Sequence, residues 1–169
     1  MRNKLLLLVC LLLAAIAAPA VHAQYAQTSQ DTTKFYINLG AITDDALEYY
    51  WWQTGAMLDI PLGSNLLLTP EVMFIGYKFD FDELYLYPGA TLNLKFGDKG
   101  NEFFVGAGCL LYWYLSNSNA DNDLILKIHG GFIADNIKLT LYMYTFEGFY
   151  EGSGFFDEVY FGANIGFAL

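Results

Sequence analysis

The stretch LYLYPGATLNLKFG, residues 84–97, decides how this chain folds. Alternate positions carry Leu, Leu, Pro, Ala, Leu, Leu and Phe, and the positions between them carry Tyr, Tyr, Gly, Thr, Asn, Lys and Gly. A period of two residues indicates a β-strand, because successive side chains of a strand point to opposite faces. The pattern suits a strand that hides its leucines in a soluble core, and it equally suits a strand that turns them towards lipid. The face that looks inward therefore decides the class of protein.

The first 23 residues are typical of a secretory signal peptide. Arg2 and Lys4 precede an apolar block over residues 5–16, and the small residues before Gln24 end in an A-x-A-like cleavage site. Crossing a bilayer as a helix takes about 20 apolar residues, so this block is too short to favour a retained anchor. We expect cleavage after residue 23, a short flexible tail over 24–33 and a single domain over 34–169.

The composition after residue 23 leans towards lipid. Six lysines against eighteen acidic residues give a formal charge of −12, which argues against nucleic acid and against simple attraction to anionic membranes. Cys109 is the only cysteine in this part, so no intramolecular disulfide can support the fold. Hydrophobic residues make up 55% of the chain and charged residues 15%, although charged side chains normally cover a small soluble protein.

Alternation recurs along the whole domain and predicts eight antiparallel strands. They cover approximately residues 34–42, 50–60, 65–76, 84–96, 103–115, 124–134, 137–146 and 157–168. The connections after the second, fourth and sixth strands are short, and those after the first, third, fifth and seventh are longer and more polar. Most strands have the length, about 9 to 11 residues, that crosses a bilayer at a tilt. An even number of strands with strictly alternating short and long connections is the layout of an outer-membrane barrel.

Charged residues within the predicted strands indicate which face looks inward. Beyond the leading Lys34, they lie on the parity opposite the apolar row, at Asp59, Glu71, Lys95, Lys127 and Lys138. The rest of the polar row holds Tyr, Gly, Thr and Asn rather than the Lys and Glu that a water-facing surface requires. A charge on a lipid-facing row would cost about 2 to 4 kcal/mol near the midplane, and the apolar row has none. The sequence therefore predicts an all-β, eight-stranded, antiparallel, up-and-down transmembrane β-barrel after a cleaved signal peptide.

Inward polar residues predict a network inside the barrel, because a charge in a narrow lumen needs a partner or water. The members that we expect are Glu71, Lys127, His129, Tyr85, Tyr87, Tyr112 and Tyr142. Inward glycines are expected to make room for tyrosine rings or to relieve strand curvature. Pro88 falls on the lipid-facing row and lacks an N–H, so its strand should carry a local defect or a bulge there.

Aromatic residues near the strand ends predict a girdle at the membrane interface. The candidates are Tyr49, Tyr50, Trp51, Trp52 and Trp113.

The final stretch VYFGANIGFAL alternates up to the carboxyl terminus, and it resembles the C-terminal strand that bacterial outer-membrane proteins present to the barrel-assembly machinery. The last residue departs from the pattern, because Leu169 stands where the family usually has Phe. With the signal peptide, the eight strands and FFVGAGCLLYWYL, the chain resembles the small outer-membrane barrels of the OmpA/OmpX type. The resemblance implies an outer-membrane location with periplasmic termini and recognition by the assembly machinery through the last strand. No cofactor is expected.

Enzymatic activity is not expected. Some eight-stranded barrels modify lipid A, and resemblance to those enzymes would require a catalytic His with a Ser and a carboxylate near the outer rim. His129 is the only histidine after residue 23, and every serine in this part lies outside the predicted strands. A serine–histidine pair within hydrogen-bond reach is therefore disfavoured, and no residue is assigned a catalytic role.

The long loops are acidic, and carboxylates of this kind bind hard cations such as Ca²⁺. Weak candidates are Asp80, Asp82, Asp121 and Asp123, although a solvated acidic loop is the favoured interpretation and no metal site is assigned. Divalent ions bridging these loops to lipopolysaccharide phosphates form a further hypothesis.

Four functions remain open at this point. The first is a non-enzymatic outer-membrane barrel with a narrow, largely side-chain-filled lumen, serving envelope integrity or surface interaction through its acidic extracellular loops. The second is a small transport or binding barrel for a small or amphipathic ligand in a Tyr/Gly-lined interior. A lipid A-modifying enzyme and a soluble lipocalin-like barrel follow. We expect a monomer whose partners are outer-membrane lipids, lipopolysaccharide and the assembly machinery, with no nucleic acid.

Overall fold

A computed structural model describes residues 32–44, 47–77, 84–98, 100–115, 123–146 and 158–169. It contains eight strands: β1 Lys34–Asp44, β2 Tyr50–Pro61, β3 Leu66–Tyr77, β4 Leu84–Asp98, β5 Asn101–Tyr114, β6 Asp123–Ala134, β7 Ile137–Phe146 and β8 Glu158–Ala168. The strands predicted from the sequence match these bounds to within two residues. Within the described ranges, no helix is long and apolar enough to cross a membrane. The expected signal peptide and most of the expected tail lie outside these ranges.

The strands form one closed antiparallel barrel. Each strand pairs with the next along the chain, and β8 pairs with β1, so no strand edge is left open. The connections after β2, β4 and β6 and both ends of the described chain lie at one end of the barrel, here called the turn side. The connections after β1, β3, β5 and β7 lie at the opposite end, here called the loop side, and they fall largely outside the described residues.

The turn between β6 and β7 shows how a tight connection is made on the turn side. Asp135 and Asn136 link the paired residues Ala134 and Ile137, which confirms the predicted two-residue hairpin turn. Asp135 has a positive φ of 48°, a conformation that Asp tolerates better than most residues. Its backbone oxygen accepts a hydrogen bond of 2.6 Å from Nζ of Lys34, which ties this turn to the start of β1.

The segment 84–97 shows which way the strands face. Tyr87, Thr91 and Asn93 are at most 5% exposed, whereas Leu92 and Leu94 are 51% and 49% exposed. The polar row therefore looks into the barrel and the leucine row looks out. The same inversion holds in the other strands, where Leu39, Val105, Leu139 and Phe161 are exposed on the outer face.

Pro88 interrupts the ladder between β4 and β5 without shifting it. The pairs that would involve Tyr87 and Pro88 are missing, yet the register is the same on both sides of the gap. The predicted defect is therefore present, and it is a gap rather than a bulge. Pro70 creates an equivalent gap between β2 and β3, which the sequence pattern did not indicate.

Candidate functional site

An ion pair between Glu71 on β3 and Lys127 on β6 crosses the middle of the lumen. Nζ of Lys127 donates to both carboxylate oxygens of Glu71, at 2.8 and 2.6 Å. The two side chains are 1% and 0% exposed, so each charge depends on the other. The ammonium group also lies 5.3 Å from the centre of the Tyr142 ring and 5.9 Å from that of Tyr144. Two strands, β4 and β5, separate β3 from β6 on one side of the barrel, and four strands separate them on the other, so the pair connects non-adjacent strands across the lumen.

A second buried pair lies nearer the turn side, between Asp59 on β2 and Lys138 on β7. Nζ of Lys138 donates to both oxygens of Asp59 at 2.8 Å. The Thr69 hydroxyl donates to the same carboxylate at 2.6 Å. The Lys138 ammonium also lies 4.8 Å from the centre of the Phe104 ring. The sequence placed both charges inside the barrel but gave no reason to pair them.

A third ion pair lies at the turn-side end of the lumen. Lys95 lies 3.0 Å from Glu102, which is the second residue of β5, although the sequence pattern placed Glu102 in the preceding turn. A cavity of about 50 Å³ opens here, lined by Lys34, Lys95, Glu102, Asp59 and Tyr36 among others. Lysines and carboxylates balance one another around it. No excess charge in the lining therefore selects an ion.

His129 bonds to an amide rather than to the central ion pair. Its Nε2 lies within hydrogen-bonding distance of Oδ1 of Asn93. Nδ2 of Asn93 in turn donates to the Thr69 hydroxyl at 2.8 Å. A continuous hydrogen-bonded chain thus runs from His129 through Asn93 and Thr69 to Asp59 and Lys138. The expected grouping of His129 with Glu71 and Lys127 is replaced by this second chain.

The four tyrosines expected in the lumen lie in one array of rings on the loop side. Ring centres of Tyr85 and Tyr112 are 5.3 Å apart, and those of Tyr87 and Tyr112 are 5.7 Å apart. Tyr144 continues the array, at 6.0 Å from Tyr87 and 4.7 Å from Tyr142. The array therefore leads from the loop-side mouth to the rings that contact Lys127.

Close packing fills this part of the interior. A Cβ added to Gly162 would lie 2.2 Å from the Tyr142 ring, so the glycine makes room for that ring, as predicted. The Tyr142 hydroxyl donates to Oε1 of Gln53 and lies 3.3 Å from the backbone oxygen of Ala41. Gln53 thus holds the ring through its hydroxyl group.

The inward face also carries an apolar cluster that the sequence pattern did not indicate. Its aliphatic and thioether members are Ile42, Met57, Met73, Ile75, Leu110 and Ile125, and they pack with Tyr87, Tyr142 and Tyr144. Ile42, Ile75 and Ile125 lie two residues from the loop-side ends of their strands. The lumen therefore has a polar, ion-paired half on the turn side and a largely apolar, aromatic half on the loop side.

The predicted interface aromatics separate into two groups. Tyr50 and Trp113 are 59% and 51% exposed. Tyr49 is 49% exposed, but its ring centre lies 6.1 Å from that of Trp51 and 6.3 Å from that of Tyr77. Trp52 lies on the outer face and its ring covers Gly76, where an added Cβ would meet the ring at 2.4 Å.

Trp51 does not belong to the outer group. Its ring packs against the inner cluster, with ring centres 5.5 Å from Tyr160 and 5.9 Å from Tyr77. The expectation of an interface role for Trp51 is wrong because this residue shares the inward parity of Gln53. Position near a strand end alone did not reveal that parity.

The weak calcium candidates fall outside the described part of the chain. This is true of Asp80, Asp82 and Asp121, and of the side chain of Asp123. Among the described residues, no three His, Cys, Asp or Glu side chains come together in a way that could hold a metal ion.

Fold and lumen together define a class: a closed, eight-stranded antiparallel β-barrel with apolar side chains outside and paired charges inside. No protein-family model matches the chain, and comparison with curated proteins gave no match. Among solved structures, the chain is similar to the N-terminal β-barrel domain of Pseudomonas aeruginosa OprF, with 16% identity, a TM-score of 0.54 and coverage of 80% of this chain and 97% of that chain. It is also similar to a de novo designed transmembrane β-barrel, with 7% identity, a TM-score of 0.51 and coverage of 84% and 100%. At such low identities the likeness establishes the fold.

Proposed function

We propose that this protein is a non-enzymatic outer-membrane β-barrel of the OmpA/OmpX type with a lumen filled by side chains. Residues 1–23 would be the signal peptide, 24–33 a periplasmic tail and 34–169 the barrel. The observation that carries the proposal is the inverted polarity of the wall. Leu141 is 69% and Phe103 62% exposed on the outer face, while Lys127 inside is 1% exposed. Such a surface is costly in water and favourable in hydrocarbon.

The proposed orientation follows from the two ends of the barrel. Both ends of the described chain lie on the turn side, which would face the periplasm, as short turns do in this class. The loop side carries the acidic connections and would face outward, where they serve envelope integrity or surface interaction. Outer-membrane lipids and lipopolysaccharide would surround a monomer, with no nucleic acid as partner.

Assembly would depend on the last strand. β8 completes the barrel by pairing with β1, and its outward row includes Phe161 and Phe167, which are 47% and 43% exposed. We propose that the barrel-assembly machinery recognises this row, with Phe167 taking the part that a terminal Phe has elsewhere. Replacing Phe167 by Ala should reduce insertion in cells, while a matched change at Phe161 should have the smaller effect.

The polar groups of the interior are held in contacts that suit a structural role rather than catalysis. His129 has the Asn93 amide as its polar partner. The inward charges are bound in the pairs Glu71–Lys127, Asp59–Lys138 and Lys95–Glu102. Groups held in such pairs hold the wall together and are not arranged to activate a nucleophile.

Fractionation and gel mobility test the membrane proposal. The protein should partition into the outer-membrane fraction, require detergent for extraction and migrate differently before and after boiling. Solubility without detergent would contradict it. Planar bilayers test the filled lumen, because discrete channel openings would contradict a barrel closed by side chains.

The apolar cluster on the loop side favours a second candidate function, a small barrel that binds an amphipathic ligand. Its interior half is lined by Met73, Ile75, Leu110 and Tyr87, which suit an apolar chain. Native mass spectrometry of protein extracted in mild detergent would reveal a retained ligand. A spectrum of the unliganded protein alone would contradict this candidate.

A further inference from the structure

The two gaps in the backbone ladder flank the same hairpin. The β2–β3 ladder lacks its pairs at Thr69 and Pro70, and the β4–β5 ladder lacks its pairs at Tyr87 and Pro88. Over the described residues the other six ladders run without interruption. The β3–β4 hairpin is therefore fully paired within itself and incompletely paired to the wall on both sides.

Each gap has a proline as its cause. Residues of an antiparallel strand bond alternately to the strand on either side, and proline has no N–H to donate. The β3–β4 ladder continues through Pro70↔Ala90 and Val72↔Pro88, so both proline nitrogens point away from the hairpin. The acceptors opposite them are the carbonyl groups of Leu58 on β2 and Leu111 on β5. In hydrocarbon no water replaces the missing donors.

Side chains inside the barrel bridge both gaps. By register, Thr69 lies opposite Asp59 and Tyr87 lies opposite Tyr112. The Thr69 hydroxyl donates to Asp59 at 2.6 Å, and the ring centres of Tyr87 and Tyr112 are 5.7 Å apart. One charged hydrogen bond and one ring contact thus stand where backbone pairs are absent.

The gap between β4 and β5 adjoins the apolar half of the lumen, whereas the gap between β2 and β3 lies beside the polar Thr69–Asp59 hydrogen bond. Tyr87 and Leu110 belong to the apolar cluster, and Tyr112 packs against it. A separation of β4 from β5 at this level would connect that cluster with the outer face. The outward residues there, Leu86, Pro88 and Leu111, present no charge to an apolar chain.

We propose that the β3–β4 hairpin is a movable panel, and that its separation from β5 forms a lateral entry site for the acyl chain of a membrane lipid. The site takes the chain from the surrounding bilayer into the apolar, loop-side half of the lumen. This deepens the ligand-binding candidate above, is an alternative to the filled lumen because the packed side chains of that half must move apart, and rests on the proposed membrane location. The movement itself depends only on the ladder, so the two parts are tested separately.

Amide hydrogen exchange in detergent micelles tests the panel. The amides of Ala90 and Leu111, beside the β4–β5 gap, should exchange about tenfold faster than those at similar depth in β6 and β7. Pro88→Ala restores a donor and should slow them about fivefold. Pro61→Ala is the matched control, because Pro61 pairs with Leu67 in an unbroken part of the ladder and should leave these rates unchanged. Equal exchange in all strands of the parent protein would overturn the panel.

Disulfide locks give a second test of the same movement, since the native Cys109 lies opposite Ala90 on β4 and opposite Leu126 on β6. Oxidised Ala90→Cys should slow exchange at Leu111 about fivefold, because it ties the panel to β5. Oxidised Leu126→Cys locks a continuous ladder and should leave Leu111 unaffected. The same slowing in both variants would mean general stiffening and would overturn the panel.

Photo-crosslinking in vesicles tests the entry site. A phosphatidylcholine with a diazirine in one acyl chain should label Tyr87, Leu110 or Tyr112 as well as outward residues. Pro88→Ala should lower the inward labelling about fivefold relative to Pro61→Ala, in line with the slower opening. Labelling confined to outward residues would overturn lipid entry and leave the exchange result standing. A protein that does not insert into vesicles would contradict the membrane location instead, while exchange in micelles would still report on the panel.

Discussion

Glu71→Gln should destabilise the barrel strongly, because it leaves the Lys127 ammonium buried without its counter-charge. The two side chains are 0% and 1% exposed, and both oxygens of Glu71 accept bonds from Lys127. Breaking such a pair from one side costs about 3 to 5 kcal/mol. Gln keeps the volume and one acceptor oxygen, so the expected loss is at the lower end, about 3 kcal/mol. Cation–π contact with Tyr142 recovers only part of the lost interaction, since such contacts contribute about 1 to 2 kcal/mol.

Urea unfolding in phospholipid vesicles measures this loss, with tryptophan fluorescence as the signal. For a urea dependence of about 1 to 3 kcal/mol per molar, the midpoint should fall by about 1 to 3 M. Glu102→Gln is the matched control, because it makes the same chemical change in the Lys95 pair, where the side chains are 9% and 17% exposed. Water reaches this pair in part, which lowers the cost of leaving Lys95 without its counter-charge, so the control should shift the midpoint less.

A double variant separates loss of charge balance from loss of packing. Glu71→Gln combined with Lys127→Met removes both charges and should recover most of the stability, since replacing a whole buried pair is often neutral. An unchanged midpoint in Glu71→Gln would refute the reasoning, because it would mean that water or another group compensates Lys127. Failure of the double variant to recover would assign the effect to packing around Tyr142.

Three further changes probe the wall and the interior, each measured by the same unfolding assay. Leu141→Arg places a charge on the most exposed large hydrophobic residue of the described strands and should cost about 2 to 4 kcal/mol in a bilayer; an unaltered midpoint would count against lipid at this face. Gly162→Ala forces a Cβ to within 2.2 Å of the Tyr142 ring and should cost about 1 to 3 kcal/mol; wild-type stability would mean that the ring moves freely. Lys138→Met leaves the Asp59 carboxylate without its counter-charge and should cost about 3 kcal/mol of stability, and adding Asp59→Asn in the same chain should restore most of that loss. Failure of the second substitution to restore stability would indicate that another group supports Asp59.

Strand positions were predictable because a barrel wall repeats one simple rule in every strand. Side chains alternate between two unlike surroundings, so the pattern of Leu86, Leu92 and Leu94 against Tyr87 and Asn93 identifies the strand and both its faces. The bounds agree to within two residues. At the start of β5 the difference mattered, because the polar Glu102 looked like part of a turn.

Pairing inside the lumen was harder to predict because it depends on shear and tilt across strands that are distant in the sequence. Parity places Asp59, Lys138 and Lys127 inside, but it does not say which carboxylate each ammonium reaches. His129 illustrates the limit: residue type and approximate depth suggested the central pair, whereas the barrel stagger brings it to Asn93. A register derived from the turn lengths would have been needed to see this.

The division of the lumen into a polar half and an apolar half was also not predicted, because the prediction used only the polarity of the residues. Ile42, Ile75 and Ile125 share the inward parity, yet an apolar residue on either face of a strand looks the same in the sequence. They lie two residues from the loop-side ends of their strands, so the apolar residues and the ion pairs occupy different halves of the barrel and have different structural roles. Paired charges on the turn side tie distant strands together. Apolar and aromatic side chains on the loop side adapt their packing more readily, because Met and aromatic groups make few directional bonds. Among the described residues, the gap at Pro88 lies in the half of the barrel without ion pairs, away from the Lys95–Glu102 pair that joins β4 to β5 on the turn side.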